Sequence, residues 1–384
     1  MHAVVVGGGI VGLSSAYYLR EHGIATTVLE QSALGTGSTG RANGGIRAQF
    51  SSPVSVAFSL ASIDVWESFE AEFDVDIAYR RPGYLFLARS ESTAERFREN
   101  VRKQNDLGVQ SEYVSPETAR DRCPALHAEA FAGATYCATD GFADPYLALQ
   151  GFASAAREAG ATIRTGVAVT NIEVDATGAV SGVQTTDGSF DADFVVNAAG
   201  PWAPAVGEMA DLQLPVSPRR RALAIVDPER SVPERVPFTI DADVGVHFRP
   251  EREGTVVVGG RFAESDPPMD PDRYPERVSL EWSAQIVERL GECAGYFGPD
   301  SEIVRTWAGL YAVTPDHHPI VEESIPGFVN AVGFSGHGFM HAPATGTCVA
   351  EIVAHGEAKT IDVSTLSSDR FDRGRTLEEG TVID

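Results

Sequence analysis

The sequence predicts an α/β fold, α+β when the whole chain is counted, in which a parallel layer is interrupted by a second, antiparallel layer. Three observations carry this reading: a strand-turn-helix-strand unit opens the chain, short strand patterns fill its centre, and a buried strand and a helix close it.

In the opening unit, residues 3–6 are an apolar run suited to a buried strand, 10–21 carry apolar residues at helical spacing, and 25–29 form a second strand. Residues 53–73 read as a helix, 84–88 as a strand and 92–107 as a helix rich in Glu and Arg. The stretch from Asp140 to Pro145 turns the chain into a helix over 146–159, closed by Gly160. Strands follow at 162–164, 167–174, 180–185 and 190–197, separated by Asp-Ala-Thr-Gly and Thr-Asp-Gly turns. Between 214 and 261, apolar and polar residues alternate among prolines, as antiparallel strands do. A proline-rich loop at 267–271, a helix at 275–293, a buried strand at 328–332 and a helix at 342–355 complete the order. The chain after Asp362 is polar and is expected to be poorly ordered. This order predicts a discontinuous nucleotide-binding domain from residues 1–80, 140–213 and 320–365. Residues 81–139 and 214–319 make a substrate-binding domain, and 366–384 a polar tail.

Composition narrows the function classes. With 54 acidic against 30 basic residues the net charge is -24, the wrong sign for binding nucleic acid. Lys103 and Lys359 are the two lysines, and the acidic, lysine-poor composition resembles that of halophilic cytoplasmic proteins. The four cysteines (Cys123, Cys137, Cys293, Cys348) are scattered, which indicates neither a metal site nor a disulfide framework. The first residues lack a signal-peptide pattern, and no apolar run reaches the roughly 20 residues of a membrane span, so a cytoplasmic location is expected.

Gly7, Gly9 and Gly12 match G-x-G-x-x-G and sit where the chemistry requires, between the first strand and the first helix. Gly7 permits the tight turn, Gly9 lets the backbone approach a pyrophosphate, and Gly12 allows close packing of the helix. The free N–H groups at the helix start, around Ile10 and Val11, together with the helix dipole, favour phosphate. Glu30, followed by Gln31, ends the second strand, where an acidic side chain accepts from a ribose 2′-OH. A dinucleotide cofactor is therefore expected.

The segment from Leu34 to Arg47 is a long loop of small polar residues and glycines directly after that acid. With it, Asn197 to Trp202 and Gly333 to Met340 resemble segments of the D-amino-acid oxidase superfamily of FAD enzymes, so the likeness touches both ends and the middle of the chain. The resemblance implies FAD in a glutathione-reductase-type fold, a Rossmann-like domain joined to a discontinuous antiparallel-sheet domain. It implies flavin contacts from Ser38, Thr39, Arg41, Ala42, Gly44 and Gly45, and an adenosine side formed by Val167, Ala198, Ala199, Gly200 and Trp202. It also implies a ring loop made of Gly336, His337, Gly338, Phe339 and Met340, whose N–H groups and following helix stabilise charge on the flavin.

Within the superfamily, sarcosine oxidase and the β subunit of dye-linked L-proline dehydrogenase look most similar, through residues 45–50, 307–311 and 333–339. By that likeness Arg47 pairs with a substrate carboxylate, a task that suits a permanently charged fork. The alternative is that Arg47 caps its loop or touches phosphate. Met340 stands where sarcosine oxidase has a lysine, and Gly309 where it has the residue joined covalently to flavin, which implies non-covalent FAD. Val257 stands where it has an oxygen-promoting lysine. Tyr311 is a pocket wall or a core residue, and His247 and His337 are candidates for the site. His317 and His318, beside Asp316, read as a turn.

The implied reaction is oxidation of a small amine or amino acid, such as sarcosine, proline or a D-amino acid, by hydride transfer to the flavin to give an imine. The electron acceptor is oxygen or a carrier. Oxidation of a 2-hydroxy acid or glycerol phosphate would use the same cofactor loops, and an FAD-bearing subunit active only in a complex, or a homo-oligomer, is the further alternative.

Overall fold

The structure is a computed structural model that describes residues 1–263 and 265–381. Among these residues the strands form two large sheets and two small ones. The six-stranded sheet has strand His2–Val6 in its interior, paired in parallel with Ala25–Glu30 on one side and Phe194–Asn197 on the other. Ala3, Val4 and Val5 are fully buried, which explains why the opening run is apolar without alternation: both sheet faces are covered. Helix Ile10–Glu21 packs on helix Ala342–His355, tied by Ser14 Oγ donating to the Ala342 carbonyl at 2.8 Å. Gly346 makes this approach possible, because a side chain there would enter Ser14.

The eight-stranded sheet takes its strands from 84–137 and 217–313. Most of its pairings are antiparallel, as the alternation between 214 and 261 predicts; Phe238–Asp241, however, runs parallel to Tyr84–Ala88. The structure adds strands Ser111–Val114, Gly133–Cys137, Glu302–Val313 and Ile320–Ile325 and the short helix Pro116–Arg122, for which the sequence pattern gives no signal.

Four expectations need correction. The strand expected at 190–197 is two strands: Gly188–Asp191 closes a hairpin on Val180–Thr185, and Phe194–Asn197 crosses into the parallel sheet. The helix expected at 275–293 starts at Leu280, where the Ser279 hydroxyl accepts from Trp282 N. The carbonyls of Pro275 and Arg277 instead accept from the Arg220 side chain. The strand expected from 167 begins at Val169, since Val167 donates its N–H to the Glu30 carbonyl. Finally, the polar tail is packed as far as residue 381. Arg370, 4% exposed, pairs with buried Asp316 at 2.8 Å, and the Glu379 carboxylate accepts from Ser51 N at 2.7 Å and Ser52 N at 3.1 Å, at the entry to helix Pro53–Phe73. Free N–H groups leading into a helix favour an anion there, which gives a polar segment a reason to dock. The last three residues of that tail, 382–384, lie outside the described residues.

Candidate active site

A cavity of about 830 Å³ lies between the two large sheets, within the range of roughly 300–1,000 Å³ typical of ligand sites. Its walls come from the glycine turn, the segment from Gly35 to Arg47, the turn after Asn197, strand Glu302–Val313 and the loop from Gly333 to Met340. Every residue singled out above as a cofactor or substrate contact lines it, except Gly12 and Val257. Gly12 sits behind the wall, where a Cβ would strike the Gly7 carbonyl oxygen. Val257, which stands in the resemblance where the oxygen-promoting lysine does, is buried in the eight-stranded sheet, paired with Ile225 and Arg249.

At one end the cavity is a backbone cradle. Gly7 has φ +114°, and a Cβ there would lie 2.5 Å from the Ala198 oxygen. Helix Ile10–Glu21 has no side-chain cap and no acid in its first turn, and Thr39 Oγ1 accepts from Ile10 N at 3.1 Å. The Glu30 carboxylate accepts from Gly8 N and Ser32 N, each at 2.8 Å, which fixes it at the cavity edge. Ser38 donates to the Leu310 carbonyl at 2.6 Å, and Arg41 reaches the Thr36 carbonyl and Glu276, so the small-residue segment is bound to the second sheet. Uncapped helix donors, glycines that permit close approach and a fixed acid fit a dinucleotide pyrophosphate and ribose.

The other end holds Arg47, Tyr84, Phe86, Phe238, His247, Tyr311 and His337. Tyr84 and Phe238 stack at 4.3 Å, and the Arg47 guanidinium lies 3.8 Å from the Phe50 ring centroid. Arg47, 5% exposed, donates to the Gln49 carbonyl, to Thr381 Oγ1 at 3.2 Å, to the Thr381 carbonyl at 3.3 Å and to His337 Nε2 at 3.4 Å. All four partners are neutral, and among the described residues no carboxylate is within ion-pair distance of it. Burial pulls its pKa down, against the more distant charges of Glu379 and Asp140. Asp140, fully buried, accepts from Ala48 N at 2.8 Å and Gln49 Nε2 at 3.1 Å, and burial pushes its pKa up to about 6.

The surroundings of the two histidines here disfavour their charged form. Burial and then the Arg249 charge push the pKa of His247 down to about 4, and burial and then Arg47 hold that of His337 well below its usual value. Met340 lines the cavity and accepts on its carbonyl from Trp66 Nε1 at 2.9 Å. His317 and His318 form a turn, in which His318 bonds to Ser52 at 2.9 Å and to the Asp316 carbonyl at 2.8 Å. No cluster of three or more metal-ligating side chains occurs among the described residues, and no helix there is long and apolar enough to cross a membrane. Asn43, Tyr84, Phe86, Phe238, Arg221 and Thr381 also line the cavity, and nothing in the motifs points to them apart from Asn43, which precedes two of the loop glycines.

A family model described as FAD dependent oxidoreductase, DAO, matches residues 2–352. The chain is 31% identical to FAD-dependent oxidoreductase domain-containing protein 1 of Mus musculus, over 99% of this chain and 86% of that protein. It is 27% identical to sarcosine oxidase subunit beta of an Arthrobacter species, over 98% of this chain and 92% of that protein. Among solved structures, L-proline dehydrogenase from P. horikoshii superposes with a TM-score of 0.90 at 31% identity, over 98% of this chain and 99% of that one.

Proposed function

Because this chain belongs to the DAO family of FAD-dependent oxidoreductases, we propose that it oxidises a small amine or amino acid to the imine, with the substrate carboxylate on Arg47. The supporting observation is a buried guanidinium on the cavity wall whose partners are all neutral. An isolated buried charge is costly, and the cost falls when an anion arrives. The Thr381 bonds at 3.2 and 3.3 Å are long, and a carboxylate would exchange them for charge-assisted bonds of about 2.7–2.9 Å.

Gly7, Gly9, Ile10, Val11 and Glu30 would hold the pyrophosphate and ribose of FAD, and the loop from Gly336 to Met340 its ring. When bound, FAD supplies the two-electron acceptor. The chain itself orients the substrate through Arg47 and walls the reacting carbon from water with Tyr84, Phe86 and Phe238. A substrate amine bound neutral needs no strong base, which accords with two histidines held uncharged. The reading includes non-covalent FAD: the four cysteines are buried away from the cavity, and the covalent position is glycine. It also divides the chain into the nucleotide-binding and substrate-binding segments set out above. The name of the Arthrobacter relative, a subunit, supports a second reading in which electrons leave through a partner chain.

Anaerobic mixing of the FAD-loaded chain with sarcosine or L-proline tests the proposal. Bleaching of the flavin by these amines, and not by lactate or glycerol phosphate, is expected. Bleaching by the hydroxy compounds alone would overturn it.

A further inference from the structure

We propose that Asn43 is a positioning residue that fixes His247 in a single tautomer, with its Nδ1–H offered to the substrate cavity, and that the Arg249–Glu251 ion pair orients Asn43 for this task. The inference rests on the reading above, which places substrate beside His247.

The chain of hydrogen bonds leaves one solution. Glu251 accepts from Arg249 Nη1 at 2.7 Å and from Arg80 at 3.4 Å, so the Arg249 guanidinium is anchored from behind. Arg249 Nε then donates to Asn43 Oδ1 and to the Asn43 carbonyl, each at 2.9 Å. A guanidinium has donors only, so the amide oxygen of Asn43 must face it and the amide nitrogen must point away. That nitrogen lies 3.0 Å from His247 Nε2. Since Nδ2 also only donates, Nε2 must be the unprotonated acceptor, and the ring hydrogen resides on Nδ1. A charge at one end of the relay thus decides the position of a proton at the other.

The surroundings hold the ring to that arrangement. His247 lies on strand Val246–Pro250, packed against Phe238 at 5.4 Å, and across the ladder it faces Gly259, where any Cβ would enter the imidazole. Nδ1 has no hydrogen-bond partner among the described residues, while the ring lines the cavity. His247 therefore presents a fixed N–H donor to an acceptor on the substrate and is a poor neighbour for a cation. This is the environment in which a neutral amine, and not an ammonium, is retained.

The test is ¹⁵N NMR of the FAD-loaded protein labelled at histidine, with the His247 signals assigned from His247→Gln. The inference predicts a protonated Nδ1 and an unprotonated Nε2 in the unmodified chain. Asn43→Asp turns an acceptor towards Nε2 and is expected to move the hydrogen to that atom, raising KM for the amino-acid substrate about tenfold with kcat changed less. An Nε2–H tautomer in the unmodified chain would overturn the inference, as would an Asn43→Asp variant of normal flavin content with unchanged KM. The tautomer is read without any substrate, so a failure of the hydrogen-bond relay is separable from a failure of the functional reading, which would leave the tautomer as predicted and show no amine turnover.

Discussion

At Arg47 the chain keeps a full positive charge 5% exposed among neutral acceptors, and the nearest compensation is supplied at longer range by Glu379 and Asp140. Glu379 shows how much of this environment comes from residues remote in sequence. Its carboxylate accepts from Ser51 N and Oγ, Ser52 N, and Thr381 N and Oγ1, and so delivers Thr381 to the guanidinium. Burial alone would raise its pKa; the hydrogen bonds from Ser51 and Thr381 and the Arg47 charge outweigh that and hold it below the usual value. A depressed folded-state pKa contributes stability above the unfolded value, and that stability is lost as pH falls through the folded one. Glu379→Gln should therefore lower stability by about 1–3 kcal/mol at pH 7, with the gap to the unmodified protein closing below roughly pH 4. Thermal melts between pH 3 and 7 would check this; a gap that persists unchanged into acid would contradict it. Glu30 is singled out by its offset from the glycine motif and Arg47 by the family resemblance, and both line the cavity. Glu379 and Thr381 are not singled out, since nothing in a polar tail announces a partner 328 residues away.

Among the elements, the opening strand-helix-strand unit was readable because its signals are local: apolar runs, helical spacing and three glycines within thirty residues. The stretches at 190–197 and 275–293 were misread where distant pairing decided the outcome. Phe194–Asn197 follows the hairpin and joins His2–Val6 in parallel, and Arg220 claims the carbonyls that a helix starting at 275 would have used. The glycine turn carries a prediction at this scale. Gly12→Ala would force a methyl group into the Gly7 carbonyl and lift helix Ile10–Glu21 away from the cradle. Overpacking of this kind costs about 1–3 kcal/mol. A Tm lower by several degrees and FAD binding weakened at least tenfold, about 1.4 kcal/mol, are expected from melting and flavin-fluorescence titration. Unchanged FAD affinity would contradict the role given to the close approach.

For the molecule as a whole, the chain crosses repeatedly between a parallel sheet and a mostly antiparallel one, and the cavity lies where they meet. That interleaving explains why the site draws on residues from Val6 to Thr381. The glycine-turn end of the cavity is visible in the motifs because backbone cradles demand glycine. The Arg47 end is less visible: Tyr84, Phe86 and Phe238 are ordinary strand residues until the sheet aims them at the cavity. The central claim is that this fold presents Arg47 to a substrate carboxylate. Its most direct test is steady-state turnover of an amino-acid substrate by Arg47→Ala and Arg47→Lys beside the unmodified enzyme, each with its flavin spectrum recorded. Truncating one partner of a buried charge pair costs about 2–5 kcal/mol, so kcat/KM should fall by roughly 30-fold to several thousand-fold in the alanine variant. Lysine, which keeps the charge but not the fork, should recover only part of the loss, and both variants should keep a normal flavin spectrum. An alanine variant with full flavin and kcat/KM within about threefold of the unmodified enzyme, a difference under 1 kcal/mol, would contradict the account.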